Sequence, residues 1–207
     1  MAELDLVLSK EEQKFQEYLN YLKELAAPTP PKTTLISNKG EHHASILMGA
    51  LMCHTEHSLK MYCMGLTPTI LHAGEDENES TAYWTVFQNF FNRGIEQIDG
   101  NVQIIVQKTD WEKCRPFEIV RESLQHHQGK IKIKVENDLS REVVNSYWGK
   151  KEAINFSIYD DVAYRLEYEP EQHKAIASFN DRAISKELSS VFDKMFAVAD
   201  NYNYHIN

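Results

Sequence analysis

From Lys32 onward, short apolar or alternating runs take turns with longer segments whose apolar residues recur every three or four positions. A chain that alternates strand and helix patterns in this way can bury both kinds of face only by layering helices over a sheet. Leu59 to Met64 and Val102 to Val106 are short, mostly apolar runs of the kind found in strands covered on both sides. Ile131, Ile133 and Val135 alternate with Lys130, Lys132 and Lys134, a half-buried strand with a basic outer face. Thr33 to Ser37 reads as a further strand and Ala175 to Phe179 as the last. Residues 153–159 and 162–168 read as a hairpin turning at Asp160-Asp161.

Between these lie the helices. Glu41 to Ser58 places Ala44, Leu47, Met48 and Leu51 on one face. After the loop Gly65 to Glu79, with its acidic run Glu75-Asp76-Glu77-Asn78-Glu79, Ser80 caps a helix through Arg93. Trp84, Phe87, Phe90 and Phe91 face inward there, and Gly94 ends it. Pro116 opens the next helix, which ends near Gly129. Leu139 to Trp148 forms a short helix, and Asn180 caps a last one through Phe196 that carries Ile184, Leu188, Val191, Phe192 and Met195. The expectation is an α/β domain over residues 32–199, its mixed sheet covered by helices on both faces.

Ahead of this domain, Ser9 and Glu12 make a capping box for an amphipathic helix over residues 9–27. Phe15, Tyr18, Leu19, Leu22, Leu25 and Ala26 form its apolar stripe. Pro28, Pro30 and Pro31 stop it, because proline lacks an N–H and restricts the residue before it. Residues 1–31 are therefore a helix with a stiff joint, whose stripe either packs on the domain or receives a protein partner. Residues 200–207 read as a polar, frayed tail.

Composition narrows the classes of function. A chain of 207 residues, 42% hydrophobic, buries about 70% of its unfolded surface and needs neither disulfides nor metal for a core. Lys and Arg number 22 against 31 Asp and Glu, a net charge of −9. That field repels phosphates and disfavours nucleic acid as a partner without excluding a local basic groove. Three cysteines with no C-x-x-C point to a reducing compartment. With neither a signal peptide nor a long apolar run, the expectation is a cytoplasmic chain that does not engage a membrane.

No G-x-S-x-G, P-loop, G-x-G-x-x-G or H-E-x-x-H occurs, and no cofactor or metal is expected. His54 and His57 have the i, i+3 spacing of a chelating pair, yet no carboxylate or cysteine completes a ligand pattern. His126-His127 suit a helix C-terminus. His42 and His43, after Asn38-Lys39-Gly40, open a helix whose N-terminus suits an anion. Cys114 lies between Lys113 and Arg115, neighbours that lower a thiol pKa, but one such cysteine is a weak signal.

The segments HHASILMGALMCHTEHSLKMYCMGL, AYWTVFQNFFNRG, VQIIVQ and AINFSIYDDVAYRLE, closed by KAIASFNDRAISKELSSVFDKMF, follow one another as in one half of the phospholipase D superfamily. The chain resembles that superfamily over about three-quarters of its length. The resemblance implies phosphodiester chemistry through the motif H-x-K-x-x-x-x-D. There a histidine attacks phosphorus, a second protonates the leaving group, and lysines neutralise the phosphoryl oxygens. It also implies a homodimer, since single-half members pair two chains to build one site, and it includes components of prokaryotic defence and mobile-element systems. Set on this sequence, the motif's aspartate falls on Asp160, its histidine on Ala153 and its lysine on Asn155. The family's Gly-Ser turn falls on Glu167-Tyr168. Alanine cannot form a phosphohistidine and asparagine carries no charge, so the resemblance implies a frame without its catalytic groups. Asp160, Arg165, Glu167, Asn155, Tyr164 and Lys174 fall in or near the degenerate cleft, and His42 or His43 are the histidines a refitted site would use.

The leading expectation is thus an inactive phospholipase D-like domain acting in protein binding or assembly, with a homodimer and a partner for helix 9–27. A divergent phosphodiesterase or nuclease is the alternative. A nucleic-acid-binding subunit using Lys130, Lys132 and Lys134 is the third.

Overall fold

The computed structural model describes residues 34–38, 41–64, 82–92, 94–107, 115–127, 129–149, 154–172 and 174–202, with Glu17, Asn20 to Leu22 and Glu24 of the N-terminal segment. In chain order these form β1 (Ile36–Asn38), α1 (Glu41–Cys53), β2 (Leu59–Cys63), α2 (Ala82–Asn92), β3 (Val102–Val106), α3 (Arg115–His126) and β4 (Ile131–Val135). There follow α4 (Asp138–Trp148), β5 (Asn155–Tyr159), β6 (Ala163–Glu169), β7 (Lys174–Ser178), α5 (Arg182–Val198) and β8 (Asp200–Asn201). One sheet holds all the described strands in the order β1-β7-β6-β5-β2-β3-β4-β8.

The sheet is mixed. β2, β3 and β4 run parallel, linked by the helical crossovers that parallel strands require. β5 joins β2 antiparallel and continues through short connections into β6 and β7, and β1, from the start of the domain, pairs antiparallel with β7. Alternate residues then serve opposite faces. Leu59, Met61, Ile104, Ile131, Ile133 and Tyr159 meet α1, α2 and α3 in one apolar cluster. Tyr62, Ile105, Phe156, Ile158 and Tyr164 meet α4 and α5 in a second. Phe87 and Phe91 are fully buried in the first, rings 4.6 Å apart. Truncating either to alanine costs about 3–5 kcal/mol, from lost transfer free energy and the cavity left behind.

The expected strands at Val102–Val106 and Ile131–Val135 stand as read, and Leu59–Cys63 differs by one residue. Three boundaries need correction. The helix expected over 41–58 ends at Cys53, where His54 and Thr55 close the last turn on the Leu51 and Met52 carbonyls. Asp181, not Asn180, caps α5, its carboxylate accepting from Ile184 N–H at 3.1 Å. Asp200 and Asn201, placed in a frayed tail, instead form a strand against β4.

The hairpin turn has a clear cause. Asp160 and Asp161 both have positive φ, 57° and 52°, and Val162 N–H donates to Tyr159 O at 3.1 Å. That is the primed turn whose twist matches a hairpin, and aspartate tolerates its left-handed residues better than most side chains do. Of the helix expected over residues 9–27, Leu22 is buried in the first cluster while Tyr21 is exposed. Apart from Glu17, Asn20 and Glu24, the rest of that expected helix lies outside the described residues. Among the described residues, no helix is long and apolar enough to cross a membrane.

Candidate functional site

Open α/β sheets place their ligand sites beyond the carboxyl ends of the parallel strands. In this sheet that edge is where β2, β3 and β4 end, β5 begins and β6 finishes, since Tyr62 pairs with Phe156 and Asn155 with Glu167. A continuous polar network occupies it. Arg165 Nη2 donates to Glu167 Oε1 at 2.8 Å, and Asn155 Nδ2 donates to Glu167 Oε2 at 2.7 Å. Asn155 Oδ1 accepts from Met64 N–H at 3.0 Å and from Gln107 Nε2 at 3.3 Å. Gln107 also donates to the Ile154 carbonyl and accepts from Arg141 at 3.4 Å. Arg141 donates to Glu136 at 2.5 Å, and Tyr62 donates its hydroxyl proton to the same carboxylate.

Strand alternation explains why these side chains meet. Arg165 and Glu167 are two apart on β6 and therefore share a face, and Asn155 lies opposite Glu167 in the register. Tyr62 and Glu136 belong to the other face, and Gln107, just past β3, links the two around the edge. The Arg165 and Glu167 side chains are only 4% and 3% exposed, so the pair is desolvated. Arg165 Nε is buried and has no hydrogen-bond partner among the described residues. Burial, the Glu136 hydrogen bond and the Glu136 charge all push the Tyr62 phenol far above its ordinary pKa. It therefore acts as a fixed donor to Glu136.

The sequence candidates separate in space. Asn155, Arg165 and Glu167 come together. Asp160 does not join them: five residues along β5, about 16 Å at the rise of a strand, it lies at the opposite edge. There its carboxylate accepts from the backbone N–H groups of Glu56, His57 and Ser58 at 2.7–2.8 Å. It serves as an anion in a backbone nest and holds the hairpin to the loop before β2. Tyr164 points to the opposite face from Arg165, into the second cluster, where burial raises its phenol pKa. Lys174 pairs with Glu169 at 2.8 Å, beside the β6–β7 irregularity. His43 is exposed on the first turn of α1, and Ala153, Cys114 and the side chain of His42 lie outside the described residues.

The spacing read as a chelating pair does not survive, because His54 and His57 are not on one helix. His54 meets Phe179 edge-on, and His57 Nδ1 lies 2.8 Å from Asp99. No cluster of three or more metal-ligating side chains occurs among the described residues. The basic face of β4 is already engaged in part. Lys130 donates to the carbonyls of Ile95, Glu96 and Ile98, and Lys134 lies 5.0 Å over the Phe196 ring. Tyr62, Gln107, Glu136 and Arg141 were missed in the sequence. A signal existed for two of them: Gln107 and Glu136 are the first residues after β3 and β4, the positions where a parallel sheet presents polar groups at its carboxyl edge.

No family model and no curated protein matches this chain. Among solved structures, it is similar to Nuc from Salmonella typhimurium, a phospholipase D family member, at a TM-score of 0.53 and 12% identity. The match covers 84% of this chain and 100% of that one. The fold is phospholipase D-like. TrmBL2, an archaeal chromatin protein whose structure shows a novel mode of DNA binding, is similar at a TM-score of 0.52 and 11% identity. That match covers 93% of this chain, which spans only 62% of TrmBL2. At these identities the likeness extends to the phospholipase D-like architecture and not to chemistry.

Proposed function

We propose that this chain is a catalytically inactive phospholipase D-like domain that works as a protein-binding or assembly module. One observation carries the reading: the edge where such a fold would place its chemistry is filled by the Arg165–Glu167 ion pair, bonded to Asn155. Asn155 stands where the family motif has a lysine, and Ala153 where it has a histidine. A neutral amide that holds a buried carboxylate neither attacks phosphorus nor neutralises a phosphoryl oxygen. Among the described residues of this edge, Arg165 is committed to Glu167 and Arg141 to Glu136. The N-terminal segment supports a binding role in this reading, since Leu22 is buried in the core while the neighbouring Tyr21 is exposed. A homodimer of the kind single-half members form is part of the same reading.

Two measurements test it. Purified protein is offered bis(p-nitrophenyl) phosphate and single- and double-stranded DNA, with no turnover above the blank expected. Turnover that disappears in Glu167→Gln, with the circular dichroism spectrum unchanged, overturns the reading in favour of a divergent phosphodiesterase. Light scattering is expected to give twice the mass of one chain, reduced by Tyr21→Glu. A single-chain mass for the unaltered protein at all concentrations overturns the assembly role.

A further inference from the structure

Tyr62 and Glu136 form a buried pair that a binding module does not need. Tyr62 is 0% exposed, its hydroxyl donates to Glu136 Oε1, and the Glu136 side chain is 8% exposed. The other carboxylate oxygen accepts from Arg141 Nη2, which balances the charge from the far side. A phenol held against a carboxylate resists becoming a phenolate, because two negative charges would then adjoin. Losing an electron is a different matter. Oxidation makes a phenol strongly acidic, and its proton then needs an acceptor already in place. An ionised carboxylate bonded to the hydroxyl is such an acceptor.

A row of rings leads from this pair toward the surface. Tyr62 on β2 lies opposite Phe156 on β5, so the two share a face, with ring centroids 5.4 Å apart. Trp148, the last residue of α4, also packs on Phe156, at 5.7 Å, and is partly exposed. Indole and phenol are the side chains that most readily give up one electron, and the phenyl ring of Phe156 bridges them. Tyr147 is 42% exposed and its ring lies 6.1 Å from Trp148, but it is built the opposite way. Lys194 donates to its hydroxyl at 2.7 Å, and the ammonium lies 5.3 Å from its ring centroid. A positive charge beside the ring opposes the loss of an electron, and an ammonium has no lone pair to receive a proton. An oxidising equivalent at Trp148 is therefore better held inward at Tyr62 than outward at Tyr147.

We propose that Tyr62 and Glu136 form a redox site, a buried tyrosine that takes up one-electron oxidising equivalents entering at Trp148. The co-reactant is a one-electron oxidant that meets Trp148 at the surface, such as an oxygen-derived radical. Trp148 gives it one electron and becomes an indole radical cation. Tyr62 then returns one electron to Trp148 and passes its hydroxyl proton to Glu136. The O–H bond of Tyr62 breaks and an O–H bond on Glu136 forms, leaving a neutral tyrosyl radical beside a neutral carboxylic acid. The positive charge brought in is left on Arg141, whose side chain is 34% exposed and so keeps water around it. Burial of the Tyr62 ring keeps the radical from coupling with a second phenol. The proton on Glu136 stays within reach of Tyr62 for the moment an electron comes back. This chemistry is independent of any phosphodiester turnover.

Flash photolysis of the full chain with tris(bipyridine)ruthenium(II), quenched by hexaammineruthenium(III), delivers the oxidant, and electron paramagnetic resonance reads the product. The unaltered protein is expected to give the spectrum of a neutral tyrosyl radical, altered in line shape when the chain carries ring-deuterated tyrosine. Tyr62→Phe keeps the ring and should reduce that signal at least tenfold. Trp148→Phe keeps a ring against Phe156 but removes the readily oxidised one, and should also reduce the yield at least tenfold. Glu136→Gln keeps the shape, removes the proton acceptor and should do the same. Tyr147→Phe should leave the signal unchanged. Circular dichroism matching that of the unaltered chain shows that each variant is folded, and the two phenylalanine variants at buried rings carry the test if Glu136→Gln is not. Absence of a tyrosyl signal from the unaltered chain overturns the proposal. So does a signal that persists in folded Tyr62→Phe, Trp148→Phe or Glu136→Gln, or one that vanishes in Tyr147→Phe.

Discussion

Arg165 and Glu167 lie two residues apart on β6 and are ion-paired at 2.8 Å, with both side chains almost wholly withdrawn from water. A buried pair of this kind is weak evidence for stability, since hydrophobic replacement of both partners is often neutral, but it punishes the loss of one partner. Arg165→Met removes the ion-pair partner that lies 2.8 Å from the buried Glu167 carboxylate and should cost about 3–5 kcal/mol. Arg165→Met combined with Glu167→Gln should recover most of that loss. Urea unfolding of the two singles and the double closes the cycle, and additive costs would show that the charges do not depend on each other.

Asp160 is expected to matter for folding and not for chemistry. Its carboxylate receives three backbone N–H groups across more than a hundred residues of chain. Hydrogen bonds to a charged acceptor contribute about 1.5–3 kcal/mol each when partners are left unsatisfied, though Glu56 and His57 are exposed and water replaces part of the loss. Asp160→Gly keeps the turn's positive φ while removing the carboxylate. A fall of about 2–4 kcal/mol in unfolding free energy is expected. An unchanged denaturation midpoint would show that the nest is not stabilising.

His57 should titrate above its ordinary value of 6.5, chiefly through its hydrogen bond to Asp99 and then through that carboxylate's charge. The protonated imidazole is the form favoured in the folded chain. Its contribution is therefore complete below pH 6.5 and is lost as pH rises through the folded-state pKa. Asp99→Asn should bring the His57 proton NMR titration back toward the ordinary value. A midpoint that does not move would refute the pairing.

Tyr62 should stay protonated through an alkaline titration of the folded chain, because burial and the Glu136 carboxylate both oppose phenolate. Ultraviolet titration of the protein and of Tyr62→Phe should give the same phenolate change until unfolding begins. Loss of one titrating phenol in the variant below that point would contradict a fixed donor. Removing the hydroxyl should also cost about 1.5–3 kcal/mol, the range for a hydrogen bond to a charged group.

Local pattern and long-range geometry were unequally legible. The strands Val102–Val106 and Ile131–Val135 could be read residue by residue, because period and length are local properties, and so could the turn at Asp160-Asp161. The end of α1 could not: residues 54–58 carry no Gly or Pro, and the helix stops because the chain must turn into β2 and meet Asp160. The site was half visible. Asn155, Arg165 and Glu167 are neighbours in a hairpin, so spacing brought them together. Tyr62 and Glu136 are 74 positions apart, and Asn155 and Gln107 are 48 apart. The parallel register of β2, β3 and β4, with the antiparallel pairing of β5 on β2, places those pairs at one edge. Asp160 was placed in the cleft because the motif is linear, whereas a strand carries its two ends to opposite edges of the sheet.

The position of β2 has a consequence for synthesis. It lies between β3 and β5, whose residues follow it by roughly forty and a hundred positions. On the ribosome, the edge bearing Met61 and Tyr62 therefore stays without its second neighbour until the hairpin strand has emerged. Contacts of such high sequence separation form slowly, and an unpaired apolar strand invites aggregation while it waits. Chaperone dependence should accordingly be set by how long β2 waits for β5, and slowing translation between codons 64 and 154 should lower the yield of native protein.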